Sequence, residues 1–458
     1  MMESIPVEKN EKVTVSFTDL TQEGSGVAKV DGYTLFVPGA LPEETAEVQV
    51  VKTKKGYGYG RLTRLIEKSS LRAVPPCPIY DQCGGCSIQH LSAQGQLDYK
   101  RRIVTDALER IGGFSGISVG MTIGMADPWK YRNKIQVPVA AQDGRFAFGF
   151  FKKRSHEIVN LDSCIITDPL IDKIVQTARH AAEDKGIEPY NEAKNSGVLR
   201  HIMARSGRKS GEVMVVFVTR TEDLPHRKAL IKELTENYPQ IKSIVQNVNK
   251  RRTNAILGNK TKTLWGRPVI YDQIGSVTFA ISAQSFYQVN PRQTEVLYRK
   301  ALKFADLTGE ETVIDAYCGI GTISLFLAQK AKQVYGVEIV PEAVKDAQAN
   351  AELNKITNAH FETGKAEEIL PKWYDKGIRP DVIVVDPPRK GCEASLLKTM
   401  LAMKPQRIVY VSCNPATLAR DLKLLVPGGY AIKKVQPVDM FPQTLHVETV
   451  ALITRVKE

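Results

Sequence analysis

The sequence predicts a multi-domain α/β protein. We expect an N-terminal OB-like β-barrel over residues 1–66, a central α+β domain over 67–282 and a C-terminal doubly wound, Rossmann-like domain over 283–458. Three observations predict this organisation. Short apolar runs and turn residues fill the first part, a Pro-, Cys- and Gly-rich segment follows it, and strands alternate with helices in the last part. A chain of 458 residues has room for about three such domains.

Composition narrows the class of protein. With 43% hydrophobic and 25% charged residues the chain is an ordinary globular one, which excludes collagen-like and disordered classes. The N-terminus is charged, and no apolar run approaches the roughly 18 residues of a membrane span. We therefore expect a cytoplasmic protein without a membrane partner. A net charge of +13 favours a polyanionic partner, and seven cysteines without a secretion signal favour metal binding or catalysis over disulfides.

The barrel is predicted from short strands of high β-propensity with turn signals between them. These strands are expected at residues 12–17, 27–30, 34–37, 46–51 and 59–65. Because five short strands fit within some sixty residues, a small closed or partly open barrel is the simplest arrangement.

Positive charge in the barrel is concentrated between residues 52 and 64, which include five basic residues, two tyrosines and no acid. They are Lys52, Lys54, Lys55, Tyr57, Tyr59, Arg61 and Arg64. Basic groups for phosphates and aromatic rings for base stacking suit single-stranded RNA. A solvated hairpin with tyrosines in the barrel wall explains the spacing equally well. In the same way, the basic loops at 152–154 and 205–209 either extend an RNA surface or are simply solvated.

The central domain is predicted to begin with a helix that starts at Ser92 and ends at Gly112 and Gly113. Residues 128–282 are then expected to mix strands with two helices. One of these two has Thr167 and Asp168 as its cap, Pro169 in its first turn and Gly186 at its end. The strands are expected at residues 135–140, 146–151, 212–218, 244–248 and 277–281.

Four cysteines form a group with the spacing of metal ligands: Cys77, Cys83, Cys86 and Cys164. Two glycines between the second and third cysteine let the backbone fold tightly, which disfavours four unrelated buried thiols. Four thiolates suit either an iron–sulfur cluster or a tetrahedral zinc ion, and the spacing does not decide between them.

A nucleotide-binding edge is predicted at the start of the C-terminal domain. Asp315 ends a strand, Gly319 and Gly321 form the following turn, and Glu338 ends the next strand. An acid at that position accepts hydrogen bonds from the hydroxyl groups of a ribose. The incomplete glycine motif disfavours NAD as the ligand, and the absence of a phosphate-binding loop motif disfavours ATP. S-adenosylmethionine, which has a ribose and no phosphates, fits better. The alternative role for Asp315 is a helix cap, and Cys318 is expected to be a packing residue.

Two later strands end in a carboxylate and a thiol. Asp386 follows the apolar run 381–385, and Cys413 follows the run 407–411. Because open α/β sheets bind ligands at the carboxyl ends of their strands, both side chains are expected in one crevice. A buried structural thiol is the alternative for Cys413, and its place at a strand end disfavours it.

These motifs together resemble the bacterial RNA uracil-5 methyltransferases over essentially the whole chain. The closest resemblance is to their 23S ribosomal RNA branch, whose members have an N-terminal TRAM barrel and a 4Fe-4S cluster. The resemblance rests on the cysteine spacing and on residues 286–290, 315–321, 386–389, 412–415 and 441–448.

The resemblance implies covalent catalysis. Carbon 5 of uracil is a poor nucleophile, so the Cys413 thiolate adds to carbon 6 and makes carbon 5 reactive toward the methyl group of S-adenosylmethionine. The Glu448 carboxylate then removes the proton from carbon 5. Without the motif at residues 441–448, Glu448 would be interpreted as a charged residue at the edge of the sheet. His446 in the same motif is expected to have a structural role.

The resemblance, with the residue pattern above, also implies binding sites. Cofactor binding is expected at Gln288, Asp315, Tyr317, Gly319, Glu338 and Asp386, and uracil binding at Phe286, Gln288 and Asp386. The cluster ligands are expected to be Cys77, Cys83, Cys86 and Cys164. Lys365 stands where many class I methyltransferases have an acid or amide near the adenine, so it is left out of the site.

We therefore expect a 23S ribosomal RNA uracil-5 methyltransferase that acts as a monomer on a single-stranded or loop uridine. The uracil has to leave its stack before Cys413 reaches carbon 6. One alternative is the same reaction on transfer RNA. The other is an iron–sulfur RNA-binding protein with a silent methyltransferase fold, which the complete set of Cys413, Glu448, Asp386 and Gln288 disfavours.

Overall fold

A computed structural model describes residues 5–142 and 144–456. Those residues form a closed barrel, two seven-stranded sheets and one two-stranded hairpin. None of their helices is both long enough and apolar enough to cross a membrane. The strands are β1 (Lys12–Leu20), β2 (Ser25–Val30), β3 (Tyr33–Pro38), β4 (Thr45–Thr53), β5 (Tyr57–Glu67), β6 (Lys134–Gln142), β7 (Arg145–Phe151), β8 (Ile158–Asn160), β9 (Leu199–Ser206), β10 (Val213–Thr219), β11 (Ile241–Val248), β12 (Lys260–Gly266), β13 (Val269–Ile274), β14 (Val277–Ser282), β15 (Thr312–Asp315), β16 (Gln333–Glu338), β17 (Ala359–Thr363), β18 (Val382–Val385), β19 (Arg407–Ser412), β20 (Tyr430–Val438) and β21 (Glu448–Arg455).

The helices connect and cover these sheets. They are α1 (Ala93–Asp106), α2 (Pro169–Asp184), α3 (Arg227–Asn237), α4 (Pro291–Ala305), α5 (Thr322–Ala328), α6 (Pro341–Leu353), α7 (Ala366–Asp375), α8 (Ala394–Met403) and α9 (Pro415–Leu425). The predicted starts of the first two are confirmed. The Ser92 hydroxyl accepts a hydrogen bond from the Gly95 amide, and the predicted cap residue Asp168 accepts one from the Leu170 amide. Helix α1 continues as a π-helical turn, Ala107–Ile111, up to Gly112.

The N-terminal barrel is confirmed. Its strands close in the order β1-β2-β3-β5-β4. In β4 every second side chain points inward, and Ala46, Val48 and Val50 are fully buried. At Gly60 of β5 a Cβ atom would lie 2.3 Å from a methyl group of Val48, so a larger residue would not fit between the strands.

The central sheet has the order β12-β11-β10-β9-β6-β7-β8, and helices α2 and α3 pack on one face. The structure contains strands that the sequence did not predict, namely β8, β9, β12 and β13. Strand β9 was not predicted because its sequence contains Arg200 and Arg205, which are buried although they are charged. The Arg205 guanidinium donates to the carbonyls of Ser282 and Ser285, so its polar atoms are satisfied inside the protein.

The C-terminal sheet has the order β17-β16-β15-β18-β19-β21-β20. The first five strands are parallel, as a doubly wound sheet requires, but β21 lies antiparallel between β19 and β20. Alternate residues of the central strands enter separate cores on the two faces of the sheet. Ile314 and Ile383 enter one core, and Val313 and Val382 the other. This double burial explains the continuous apolar runs in the sequence.

Candidate active site

The strand order brings the ends of neighbouring strands to one edge of the C-terminal sheet. Along this edge β16 ends at Glu338, β15 at Asp315, β18 at Val385 and β19 at Ser412, and the antiparallel β21 begins there at Glu448. The strand order changes direction between β15 and β18, which is the position where open α/β sheets form a binding crevice. A cleft of about 1130 Å³ opens at this edge.

Most of the predicted site residues line this single cleft. They are Phe286, Gln288, Tyr317, Gly319, Glu338, Asp386, Cys413 and Glu448. Asp315 is the exception because it is fully buried behind the turn. Its carboxylate accepts hydrogen bonds from the Ser324 hydroxyl at 2.6 Å and from the Tyr317 amide at 3.3 Å. Asp315 therefore holds the turn that carries the cleft residues and does not face the cleft itself.

The register between β19 and β21 makes Cys413 and Glu448 neighbours. Ser412 pairs with Thr449 across the two antiparallel strands, so the residue after Ser412 lies beside the residue before Thr449. Opposed residues in such a pair have Cα atoms about 4.5–5.5 Å apart. The turn after β19 is held by Asn414, whose backbone amide donates to the Ser412 hydroxyl at 3.1 Å. A thiol and a carboxylate thus share the end of the cleft.

Burial and, to a smaller extent, the neighbouring carboxylates Glu448 and Asp386 together raise the pKa of the Cys413 thiol to about 11. The Arg389 guanidinium acts in the opposite direction. In the unliganded protein the thiol is therefore protonated at neutral pH. Arg389 is the cleft side chain whose charge favours the thiolate.

Asp386 and Glu448 form an acid pair with high proton affinity. Burial and the neighbouring Asp315 raise the pKa of Asp386 to about 7. Burial and Asp386 raise the pKa of Glu448 well above its ordinary value, while Arg389 lowers it. Glu448 is 4% exposed, so little solvent competes for its proton. A carboxylate in such a place accepts a proton more readily than one in water.

The turn after β15 shapes the other end of the cleft. Gly319 has a φ of +53°, which favours glycine, and no atom lies within 4 Å of the position of a Cβ atom there. The Glu338 carboxylate accepts hydrogen bonds from the backbone amides of Gly319, at 3.2 Å, and Val340, at 3.0 Å. These bonds fix its orientation and leave acceptor capacity for hydroxyl groups of a ligand.

Several cleft residues were not predicted. Arg389 belongs to a motif noted in the sequence but had no assigned role, and His446 and Lys365 line the cleft although they were left out of the site. The Tyr298 hydroxyl on α4 donates to the Thr322 hydroxyl at 3.0 Å, and no sequence signal marks Tyr298. Arg132 comes from before β6, so only the folded structure brings it to the cleft.

The four predicted ligand cysteines line a second cavity of about 230 Å³. Burial raises the pKa of Cys86 to about 12, with smaller contributions from Cys164, Cys83 and Cys77. The Gly85 amide donates to the Cys83 sulfur at 3.3 Å. Within residues 5–142 and 144–456, no three or more His, Cys, Asp or Glu side chains converge closely enough to hold a metal ion.

A zinc ion and an iron–sulfur cluster are the two groups predicted for these four thiols. A zinc ion needs every sulfur about 2.3 Å from one point, and the thiols do not converge in that way. Their number and softness suit a larger group that occupies the space between them. Gly85 and Arg132 line both this cavity and the main cleft, so the cysteine loop forms part of the cleft wall.

Comparisons with known proteins agree with this geometry. Residues 261–456 match the family model described as tRNA (uracil-5-)-methyltransferase, and residues 6–63 match that of the TRAM domain. An uncharacterised RNA methyltransferase of Halalkalibacterium halodurans is 59% identical over 98% of both chains. One from Listeria innocua is 54% identical over 99% of this chain and 100% of its own.

The chain is also similar to a solved structure, the Pyrococcus abyssi tRNA (uracil-54, C5)-methyltransferase in complex with S-adenosyl-L-homocysteine. The TM-score is 0.76 and the identity 30%, and the match covers 96% of this chain and 100% of the other.

Proposed function

Since the chain belongs to the family of S-adenosylmethionine-dependent RNA uracil-5 methyltransferases, we propose that it methylates carbon 5 of a uridine in 23S ribosomal RNA through a covalent intermediate. The observation that carries the mechanism is the pairing of Ser412 with Thr449, which makes a nucleophile and a base neighbours at the cleft end. Membership of the family establishes methyl transfer from S-adenosylmethionine to carbon 5 of a uracil in RNA. The target RNA and the roles of individual residues are proposals.

Cys413 is the nucleophile. Its thiolate adds to carbon 6 of the uracil ring, and the electron pair of the 5,6 double bond moves toward the carbonyl at carbon 4. Carbon 5 then becomes nucleophilic. Because burial and two carboxylates raise the pKa of this thiol, the thiolate forms by loss of the thiol proton to the solvent of the open cleft, and the Arg389 charge favours that loss.

Glu448 is the base that resolves the adduct. After methylation, carbon 5 carries both the methyl group and a proton, and the Glu448 carboxylate takes the proton. The electron pair of the broken C–H bond re-forms the double bond and expels the Cys413 thiolate. The raised proton affinity of Glu448 favours this transfer. Asp386 and Gln288 line the same part of the cleft and are proposed to orient the uracil.

S-adenosylmethionine, when bound, supplies the methyl group. We assign its ribose hydroxyls to Glu338, whose carboxylate is already aligned by two backbone amides. Tyr317 and Gly319 line the cleft beside it, and Asp315 supports their turn from behind. Phe286, which is 70% exposed at the cleft, is proposed to contact RNA bases.

The RNA partner is supported by charge and by the barrel. The net charge is +13. On the barrel, the ring of Tyr57 lies 5.6 Å from that of Phe36 and 5.7 Å from that of Tyr59, and the Lys54 ammonium lies 5.6 Å from the Tyr57 ring. Clustered aromatic rings beside a cation suit a surface that stacks unpaired bases. We propose that the barrel and central domain hold the RNA while the C-terminal domain takes the flipped uridine.

Transfer RNA is the second candidate substrate. The Pyrococcus abyssi enzyme, whose name places it on uracil 54 of transfer RNA, matches 96% of this chain, including the barrel region. The barrel therefore does not by itself distinguish a ribosomal from a transfer RNA enzyme.

The substrate is tested by mapping 5-methyluridine in ribosomal and transfer RNA from a strain that lacks this protein. Loss of a methylated site in 23S ribosomal RNA alone supports the proposal, and loss in transfer RNA alone overturns it in favour of the second candidate.

The residue roles are tested by trapping. Purified Glu448→Gln, incubated with unmodified RNA and S-adenosylmethionine, should accumulate a protein–RNA adduct that survives denaturing gel electrophoresis. Cys413→Ala should give no adduct and no product. Glu236→Gln makes the same change as Glu448→Gln at an exposed carboxylate that does not line the cleft, and it serves as the matched control, with adduct and product as in the unmodified protein. Adducts with both Glu448→Gln and Cys413→Ala, or with neither, contradict the assignments.

We also propose that Cys77, Cys83, Cys86 and Cys164 hold a 4Fe-4S cluster. The support is their shared cavity, the softness of four thiol ligands and the amide that donates to the Cys83 sulfur. Anaerobically purified protein should contain about four irons and four sulfides per chain. One zinc per chain, or no metal, would reject the cluster and leave the methyl transfer untouched.

A further inference from the structure

The segment 439–448, which joins β20 to β21, brings Phe441, Thr444, His446 and Glu448 into the cleft. We call it the Glu448 segment. Much of its support comes from parts of the chain that precede the C-terminal sheet. Tyr131 donates to the Pro442 carbonyl at 3.0 Å, and the amides of Ser87 and Ile88 donate to the Gln443 carbonyl at 2.9 and 3.2 Å.

Helix α1 holds the first half of the segment through buried polar contacts. The Lys100 ammonium lies 2.5 Å from the Asp439 carboxylate and donates to the Phe441 carbonyl at 3.1 Å. The Gln96 side chain donates to the Gln443 side chain at 2.9 Å and accepts from the Gln443 amide at 3.0 Å. Because these partners are buried, the bonds fix the backbone of the segment relative to α1.

The barrel contacts the second half of the segment. The turn between β1 and β2 lies against Leu445, three residues before Glu448. Gly24 in this turn has a φ of +73°, and a Cβ atom there would lie 2.8 Å from one terminal methyl of Leu445 and 3.4 Å from the other. The same turn is fixed to α1, since the Tyr99 hydroxyl lies 3.0 Å from the Thr21 carbonyl and 3.1 Å from that of Gln22.

This contact belongs to a continuous core. Leu20 and Leu41 of the barrel lie in the same buried cluster as Tyr410 of β19 and Val447, and Leu445 packs against that cluster. The barrel is therefore not only tethered to the C-terminal sheet. Its β1–β2 turn forms part of the wall against which the Glu448 segment packs.

We propose that the β1–β2 turn of the barrel is a positioning element for Glu448, acting through Leu445. The barrel then has a role in the resolution step of catalysis in addition to RNA binding. This inference rests on the proposed role of Glu448 as the base. A base must lie within hydrogen-bond reach of its proton, and a displacement of about 1 Å can cost about 100-fold in rate.

The test uses two glycines of the same barrel. Asparagine tolerates positive φ better than other non-glycine residues, so Gly24→Asn places a side chain against Leu445 with less backbone strain than other substitutions would cause. Gly32 has a φ of +85° and no atom within 4 Å of a Cβ position. Gly32→Asn is therefore the matched control, with the same change in the same barrel and no contact.

Steady-state methylation of unmodified RNA from the deletion strain is measured for both variants. We expect Gly24→Asn to lower kcat about 10-fold or more, to leave the KM for RNA unchanged, and to raise the steady-state fraction of covalent protein–RNA adduct. Gly32→Asn should match the unmodified protein in all three. A rise in the KM for RNA with normal kcat and adduct would overturn the inference, because the turn would then serve RNA binding alone.

A double-mutant cycle keeps the test independent of other effects of the substitution. When Leu445→Ala removes the opposing methyl groups, adding Gly24→Asn should change kcat less than twofold. A full loss in that background would contradict action through Leu445. If instead the unmodified protein forms neither adduct nor 5-methyluridine, the proposed function fails, and this outcome is distinct from failure of the positioning role.

Discussion

The buried ion pair between Lys100 and Asp439 allows a quantitative prediction. The Lys100 side chain is 0% and the Asp439 side chain 5% exposed. Burial lowers the pKa of Lys100 and raises that of Asp439, which means that loss of hydration outweighs the mutual attraction. Lys100→Met leaves the Asp439 carboxylate buried without its cation. We expect the free energy of unfolding to fall by about 3–5 kcal/mol.

The assay is urea-induced unfolding of the cooperative unit that contains α1 and the C-terminal sheet. Arg227→Met is the control, since it breaks an exposed pair with Asp223 and should change stability by less than about 1 kcal/mol. Lys100→Met/Asp439→Leu removes both charges and should recover most of the loss. A loss below about 1 kcal/mol in Lys100→Met, or a double variant no more stable than the single one, would refute this account of the pair.

The Lys100→Met variant should also respond differently to pH. Removing the ammonium raises the pKa of Asp439 further, and a carboxyl whose folded pKa is raised loses its contribution to stability as pH rises through that value. The variant should therefore be more stable near pH 5 than at pH 8 relative to the unmodified protein.

Three further predictions follow from the charges and surfaces described above. Iodoacetamide should alkylate Cys413 at a rate that rises with pH up to about pH 11. Asp386→Asn should shift this pH–rate profile to lower pH, and Arg389→Gln should shift it to higher pH. A midpoint of the profile below pH 9 would contradict the raised pKa of the Cys413 thiol. Burial alone would raise the pKa of Glu44, but hydrogen bonds from Arg72 and backbone amides lower it, so its stabilising contribution is present above about pH 4.5 and is lost as pH falls further. Arg72→Met should reduce the difference in stability between pH 7 and pH 4, measured by thermal unfolding. Tyr59→Ala should weaken RNA binding by about 1–3 kcal/mol in a filter-binding titration and leave kcat at saturating RNA unchanged; unaltered affinity would remove this tyrosine from the RNA surface.

The parts of the site that follow parallel strands were predictable from sequence. Asp386 comes directly after an apolar run and Cys413 one residue after another, and the carboxyl ends of parallel strands meet at one sheet edge. The turn at Gly319 and the acid at Glu338 follow the same rule. In these cases local sequence determines both the element and the edge at which it ends, so pattern alone places the side chains.

Other parts of the fold and of the site depend on packing between distant segments, and local sequence patterns do not contain that information. Strand β9 includes the buried residues Arg200 and Arg205, whose terminal guanidinium nitrogens donate to carbonyls far along the chain. Arg132 and Tyr298 reach the cleft from other elements. The expectation that a barrel indicates the ribosomal RNA branch was also too strong, since an enzyme named for transfer RNA matches nearly the whole chain.

Glu448 shows most clearly why topology and chemistry have to be combined. The usual rule searches for functional residues at the carboxyl ends of strands, but Glu448 is the first residue of its strand. Because β21 runs antiparallel to β19, its beginning lies at the edge where the parallel strands end. Only this reversal brings the acid beside Cys413. A strand whose start has to be placed accurately needs support for the segment that leads into it, and here α1 and the barrel supply that support. The parts of the chain that precede the C-terminal sheet therefore support the segment that places Glu448 beside Cys413.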